Sequence, residues 1–167
     1  MSEAPFPRLP HDHRACMAET LASAEAIAKS RGEKLTGMRR RVLEIVLQSH
    51  RPAGAYDVLG ALARAGKRPA PPTVYRALEF LLAQGFVHRI DSRNAFVGCF
   101  VPANPHASHF LLCRSCGRAA EIADPALEEA LAIAARNCGF SSERQIVEIT
   151  GVCADCGGAS SFRPMGA

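Results

Sequence analysis

The feature that most constrains this chain is one spacing that occurs twice. "CRSCG" sets Cys113 and Cys116 three positions apart, and "CADCG" does the same for Cys153 and Cys156. Each pair is followed by glycine, in a stretch fit for a tight knuckle where two thiolates converge on one ion. The pairs are separated by 36 residues. Over that length a helix and a strand can leave and return, bringing both knuckles to one tetrahedral four-cysteine site. Such a site is closed to water and substrate, so its role is structural and its ion is zinc. A thioredoxin-like redox pair is the alternative. It opens a helix after a strand in a βαβ context, and neither pair is expected to do so here.

The chain around these pairs has 167 residues, 48% of them apolar, enough to bury a core for one domain or two small ones. With 22% charged residues, 6% aromatics and no Trp, neither disorder nor a coiled coil is indicated. No apolar run approaches the roughly 18 residues that span a bilayer, so no membrane partner is expected. The opening "MSEAPFPRLPHDHRAC" lacks a basic stretch leading into an apolar one. The expected location is the cytoplasm, where thiols stay reduced and CxxC pairs read first as metal ligands or catalytic groups. Charge is unevenly placed. Residues 1–98 hold 15 Lys/Arg against 9 Asp/Glu, whereas residues 99–167 hold 5 against 7 together with six of the seven cysteines. The chain thus divides into a basic module at 1–98 and a cysteine-rich module at 99–167, and the first suits a polyanion partner.

In the first module, "CMAETLASAEAIAKSR" is helical in composition and Gly32 is placed to end it. Thr36 caps a second helix whose stripe is Met38, Val42, Ile45 and Val46. "RPAG" breaks the chain before a short helix, "AYDVLGALARAG". The clearest helix is "PPTVYRALEFLLAQGF", with Pro72 in its first turn, Val74, Leu78, Leu81 and Leu82 inward, and Gly85 closing it. Two strand-like runs, "FVHRI" and "AFVGCF", then flank the turn residues Asp91 to Asn94. Short helices leading into a hairpin predict a winged helix-turn-helix, against the alternative of a generic helical domain. The second module reads β-β-α-β, a small α/β unit whose short sheet calls for a partner chain. Leu127, Leu131, Ala135 and Cys138 share one face of its helix, so Cys138 is expected to be buried. The fold class is therefore α+β.

Five more residues fall where the modules must join. His88 and Cys99 lie on the two arms of the hairpin, His106 and His109 in and after the connection "VPANPHASHF", and Glu121 on the strand past the first knuckle. One thiolate, two imidazoles and one carboxylate make a borderline-soft set that suits zinc. His109 is the alternative imidazole to His106. "HDHRAC" also resembles a metal cluster at His11, His13 and Cys16, while Asp12 serves equally as a helix cap.

"LTGMRRRVLEIV", "AYDVL", "PPTVYRALEFLLAQGFVHRI" and the two CxxC knuckles resemble the ferric uptake regulator (Fur) superfamily, and within it the zinc uptake regulator (Zur) branch. The likeness runs from about residue 20 to residue 157. It implies a homodimeric, non-enzymatic repressor: an N-terminal winged-helix DNA-binding domain ahead of an α/β dimerisation domain, controlling genes of zinc uptake and homeostasis. It implies two Zn2+ per chain. Structural zinc falls on Cys113, Cys116, Cys153 and Cys156, and sensory zinc on His88, Cys99, His106 and Glu121. Contacts to double-stranded operator DNA fall on Tyr56, Thr73, Tyr75 and Arg76, and no small-molecule substrate is implied. Where iron-sensing members carry "HHDH", this chain has "HASHF". Arg39, Arg40, Arg41 and Arg51 are candidates for phosphate contacts, against a reading as solvated helix surface. The competing classes are a sensor of iron or manganese on the same fold, a peroxide or thiol switch, and a zinc hydrolase. The last lacks HExxH or a similar motif.

Overall fold

The computed structural model describes Phe6 and residues 12–99 and 108–157. These fall into two compact units, one within Leu9–Pro105 and the other within Met1–Arg8 and His106–Ala167.

The first unit begins with α1 (His13–Ser30), three residues ahead of its expected start, because Asp12 caps it by accepting a hydrogen bond from Ala15 N at 3.0 Å. Thr36 accepts from Arg39 N at 3.4 Å and starts α2 (Gly37–Leu47). A two-residue strand, β1 (Ala53–Gly54), replaces the simple break expected at "RPAG", and α3 (Ala55–Arg64) comes directly after it. In α4 (Pro71–Ala83) both Pro71 and Pro72 sit in the first turn, where a missing N–H forgoes no helical bond. Gly85, at φ +73°, lets the chain turn back so that Phe86 N bonds Leu81 O at 2.9 Å. Val42, Leu43 and Val46 of α2, Val58 and Leu62 of α3, and Val74, Leu78 and Leu81 of α4 meet in one core with Phe86. Each such side chain contributes about 1.5–3 kcal/mol by leaving water.

The hairpin β2 (Val87–Ile90) and β3 (Ala95–Gly98) lies next in the chain. Its turn is a short 3-10 segment at Asp91–Arg93 that ends on Asn94 at φ +45°. Asn94 is suited to that left-handed position, and its Oδ1 accepts from Arg89 at 3.1 Å. β3 is central: it pairs β2 on one side and β1 on the other, with Ala53 opposite Phe96. The pairing explains why "RPAG" is partly a strand, since the hairpin edge offers its backbone groups partners. Helices α2 to α4 with this three-stranded sheet make the expected winged helix-turn-helix.

The second unit has strand order β5-β4-β6. β4 (Ser108–Cys113) pairs antiparallel with β5 (Ala119–Ile122) and parallel with β6 (Ile146–Gly151). α5 (Pro125–Asn137), capped by Asp124, lies between β5 and β6 in sequence. The β-β-α-β order is as expected, with a one-turn α6 (Ala154–Gly157) added after it. Cys138 departs from its expected burial. It forms the C-cap of α5 and is exposed, and α5 buries no residue fully. Periodicity identifies the apolar side of a helix and does not say what covers it.

Candidate metal centre and nucleic-acid interface

The first knuckle is the turn between β4 and β5, and the second crosses from the end of β6 into α6. The parallel register, Cys113 opposite Gly151, places Cys153 just past the end of β6. The thiol sulfurs of Cys113, Cys116, Cys153 and Cys156 all lie within 4.8 Å of one another, and Cys116 Sγ stands 3.8 Å from Cys153 Sγ. Four sulfurs about 2.3 Å from a central zinc would stand about 3.8 Å apart by tetrahedral geometry, so the donor set fits the ion in number, type and spacing. The second pair does come after a strand and open a short helix, contrary to expectation. Its partners are nevertheless the other pair, which is not the arrangement of a thioredoxin-like couple.

The local backbone prepares these thiols. Cys116 N and Cys153 N donate to Cys113 Sγ at 3.5 and 3.4 Å, and hold its thiol down to about 5 against the opposing effect of burial. For Cys116, burial acts upward, but hydrogen bonds led by that of Arg118 outweigh it and the thiol is lowered. The Cys156 thiol is pushed up to about 12, first by its hydrogen bond with Cys153. Four thiols this close cannot all ionise against one another, and a divalent cation at their centre is what permits it. Sequence reading overlooked two neighbours. Arg118, only 8% exposed, donates from Nε to Cys116 Sγ at 3.3 Å and from a terminal nitrogen to Cys153 Sγ at 3.4 Å. It also meets Asp155 Oδ2 at 2.5 Å, and that contact is the first cause raising its pKa. A signal was present: opposite charges sit beside the two knuckles, at "CGR" and "CADC".

In the first unit, the register pairs His88 with Val97, so alternation puts His88 and Cys99 on one face of the hairpin. A His88 ring nitrogen and Cys99 Sγ lie within 4.8 Å, and Cys99 is fully buried. In the second unit, Glu121 is half-buried on β5 opposite Phe110, while His109 on β4 lies opposite Ile122. His109 and Glu121 therefore project from opposite faces of the sheet. The His109 ring is wholly buried, and neither nitrogen has a hydrogen-bond partner among the described residues. His106 and His11 lie outside the described residues. His13 Nε2 donates to Leu47 O at 2.9 Å and its ring lies 4.8 Å from that of His50.

The candidate DNA contacts share one character. Tyr56 at the start of α3 is 79% exposed, and Thr73, Tyr75 and Arg76 point outward from the first turns of α4 while Val74 and Ala77 point in. Tyr56, Tyr75, Glu79, Arg89 and Phe96 help to line a depression of about 200 Å³ between α4 and the hairpin. The arginines of α2 are engaged within the unit. Arg39 lies 3.4 Å over the Phe80 ring, and Arg40 pairs with Glu25 and with Glu44 at 3.0 Å. Arg41 pairs with Glu44 at 2.9 Å. Burial acts upward on Glu44, but the hydrogen bonds from Arg41 and Arg40 outweigh it and hold the carboxyl below its usual range. Arg51 is exposed.

Comparison with known proteins places these features. The model of the ferric uptake regulator family matches residues 30–150. The zinc uptake regulation protein of Escherichia coli (strain K12) is 39% identical over 139 residues, which cover 83% of this chain and 81% of that protein. A solved zinc uptake regulator complexed with zinc and DNA is similar at TM-score 0.78 and 38% identity, over 83% of this chain and 93% of the other. The crystal structure of holo XcZur gives TM-score 0.76 at 39% identity, over 84% and 99% of the respective chains.

Proposed function

This chain belongs to the ferric uptake regulator family, and we propose that within it the chain acts as a zinc-responsive repressor of zinc uptake and homeostasis genes. It is a DNA-binding regulator and not an enzyme. Its partners are double-stranded operator DNA and a second copy of itself. Among the described residues no helix is long and apolar enough to cross a membrane, and the proposed place of work is the cytoplasm.

Each surface has a use in this reading. Thr73, Tyr75 and Arg76 open the recognition helix α4 toward base edges, and Tyr56 flanks it. A two-fold dimer presents two such helices about one helical turn of DNA apart, roughly 34 Å. The second unit leaves Ile133, Phe140, Ile146, Ile149 and Val152 exposed on and around α5 and β6, apolar surface that suits the dimer contact.

Two zinc ions per chain are proposed, one on Cys113, Cys116, Cys153 and Cys156, the other on His88, Cys99, His106 and Glu121. Zinc bound there would supply a double positive charge to these donors. The chain's own residues then divide the work. The four cysteines secure the second unit, while His88 and Cys99 carry the response to metal on the hairpin beside the recognition helix. The observation that carries the sensory assignment is the buried Cys99 thiol and the half-buried His88 imidazole brought together on that hairpin, outside both CxxC pairs.

A zinc titration of operator binding tests it. Cys99→Ser should keep one zinc per chain, the dimer and a near-normal melting curve, and lose the gain in specific DNA affinity on adding zinc. Linkage allows the metal to act only through its preference for the DNA-competent state. A Cys99→Ser protein with wild-type zinc dependence on DNA would overturn the assignment.

A further inference from the structure

Arg118 is a buried cation set against sulfur. A guanidinium taken from water is strongly disfavoured unless charged partners receive its donors, and here they do. Nε points at Cys116 Sγ at 3.3 Å, and a terminal nitrogen reaches both Cys153 Sγ at 3.4 Å and Asp155 Oδ2 at 2.5 Å. One planar fork thus joins a sulfur from each knuckle. Its backbone is tied in as well, since Cys113 N donates to Arg118 O at 2.9 Å. The ion pair is lopsided: the Arg118 side chain is 10% exposed and that of Asp155 46%. Water therefore screens most of the carboxylate's charge, while the guanidinium's acts on the thiolates. Four thiolates around a divalent ion carry a local net charge of −2, and one guanidinium brings it to −1.

We infer that Arg118, aimed by Asp155, is a positioning residue of the four-cysteine site. Its N–H donors on Cys116 and Cys153 offset part of the charge that the four thiolates would set against one another, and thereby slow loss of the metal. The inference rests on the assignment of a zinc ion to these four cysteines. Arg118 touches sulfur rather than metal, and outer groups of this kind are worth about 10–100-fold in metal retention. An asparagine or alanine here would leave the knuckles closed by backbone bonds and strip the sulfurs of their charged donor.

The experiment uses the full chain carrying Cys99→Ser, so that only the four-cysteine site reports, loaded with Co2+ as a spectroscopic probe. The parent must show the intense sulfur-to-cobalt bands of a four-thiolate tetrahedral site. If it does not, the zinc assignment fails and the Arg118 inference falls with it, a result separable from any effect of the Arg118 variants. Arg118→Gln is expected to load the same amount of cobalt, to move those bands to lower energy, and to yield the cobalt to excess EDTA about tenfold faster. Arg118→Lys keeps the charge but not the fork, so a smaller change in the same direction is expected. Should Arg118→Gln fail to fold, Arg118→Lys carries the test. Unshifted bands with release within twofold of the parent, in whichever variant folds, overturn the proposal. A purely architectural role would leave the band energies unmoved.

Discussion

At the scale of the single residue, Gly98 sets a tolerance on which the sensory assignment depends. A Cβ there would stand 2.3 Å from Leu47 Cδ2 and 3.3 Å from Leu47 Cγ, and Leu47 is wholly buried at the end of α2. A side chain at that position would force Leu47 to shift where the hairpin meets α2, and Cys99 is the very next residue. Gly98→Ala is expected to destabilise the first unit by about 1–3 kcal/mol, the usual penalty for overpacking. It should also weaken the zinc response by displacing Cys99. Combined with Leu47→Ala, it should cost less than the sum of the two single losses, and a melting series on the two single variants and the double variant measures the coupling. Independent, additive losses would mean that the contact does not set the hairpin. None of this could be read in "AFVGCF", where glycine simply weakens a strand. Arg118 was overlooked for a related reason: despite the opposite charges beside the knuckles, an arginine in sequence reads as solvated surface, and only the meeting of the two knuckles encloses it.

At the scale of the element, α4 shows how a periodic helix can be read well while its neighbours are read less well. Its prolines, its inward stripe and its terminal glycine each have a local physical cause, so start, face and end were all legible. The same periodicity leaves positions 73, 75 and 76 outward, but the proposal that they meet DNA rests on resemblance to a family and not on spacing. Arg76→Ala is expected to cost about 1–3 kcal/mol at the specific site and less on random DNA, since a bidentate base contact discriminates by that amount. Binding measured on both DNAs decides it, and an equal loss on each would make Arg76 a phosphate contact. The consecutive arginines of α2 are a contrast. The sequence offered phosphate contacts or solvated surface for them, but not that Glu25 and Glu44 would take up two of them and Phe80 the third. α6 was missed because four residues carry no period.

At the scale of the whole molecule, the division of labour predicts separable failures. Cys153→Ser, or full removal of zinc by chelation, is expected to unfold the second unit and abolish the dimer, because binding energy at a structural zinc site is folding energy. The helices of the first unit, closed around their own core, should persist. Circular dichroism with sedimentation distinguishes this from the alternative, a dimer of unchanged stability, which would refute a common ion for the four cysteines. The parallel pairing of β4 with β6 adds a kinetic side to the same arrangement. Those strands are distant in sequence, and a parallel partner must be found by diffusive search, with the entropy of closing the loop lost before any ladder bond is gained. A slip of one residue would turn every β6 side chain to the wrong face. Since Cys113 ends one strand and Cys153 lies two residues past the end of the other, the two knuckles would act as a ratchet once they shared an ion. A nascent chain that has captured metal at either knuckle can search for the other only among nearly correct alignments. The time a new chain takes to mature should thus shorten as zinc becomes plentiful, so that the supply of working regulator tracks the metal before any operator is bound.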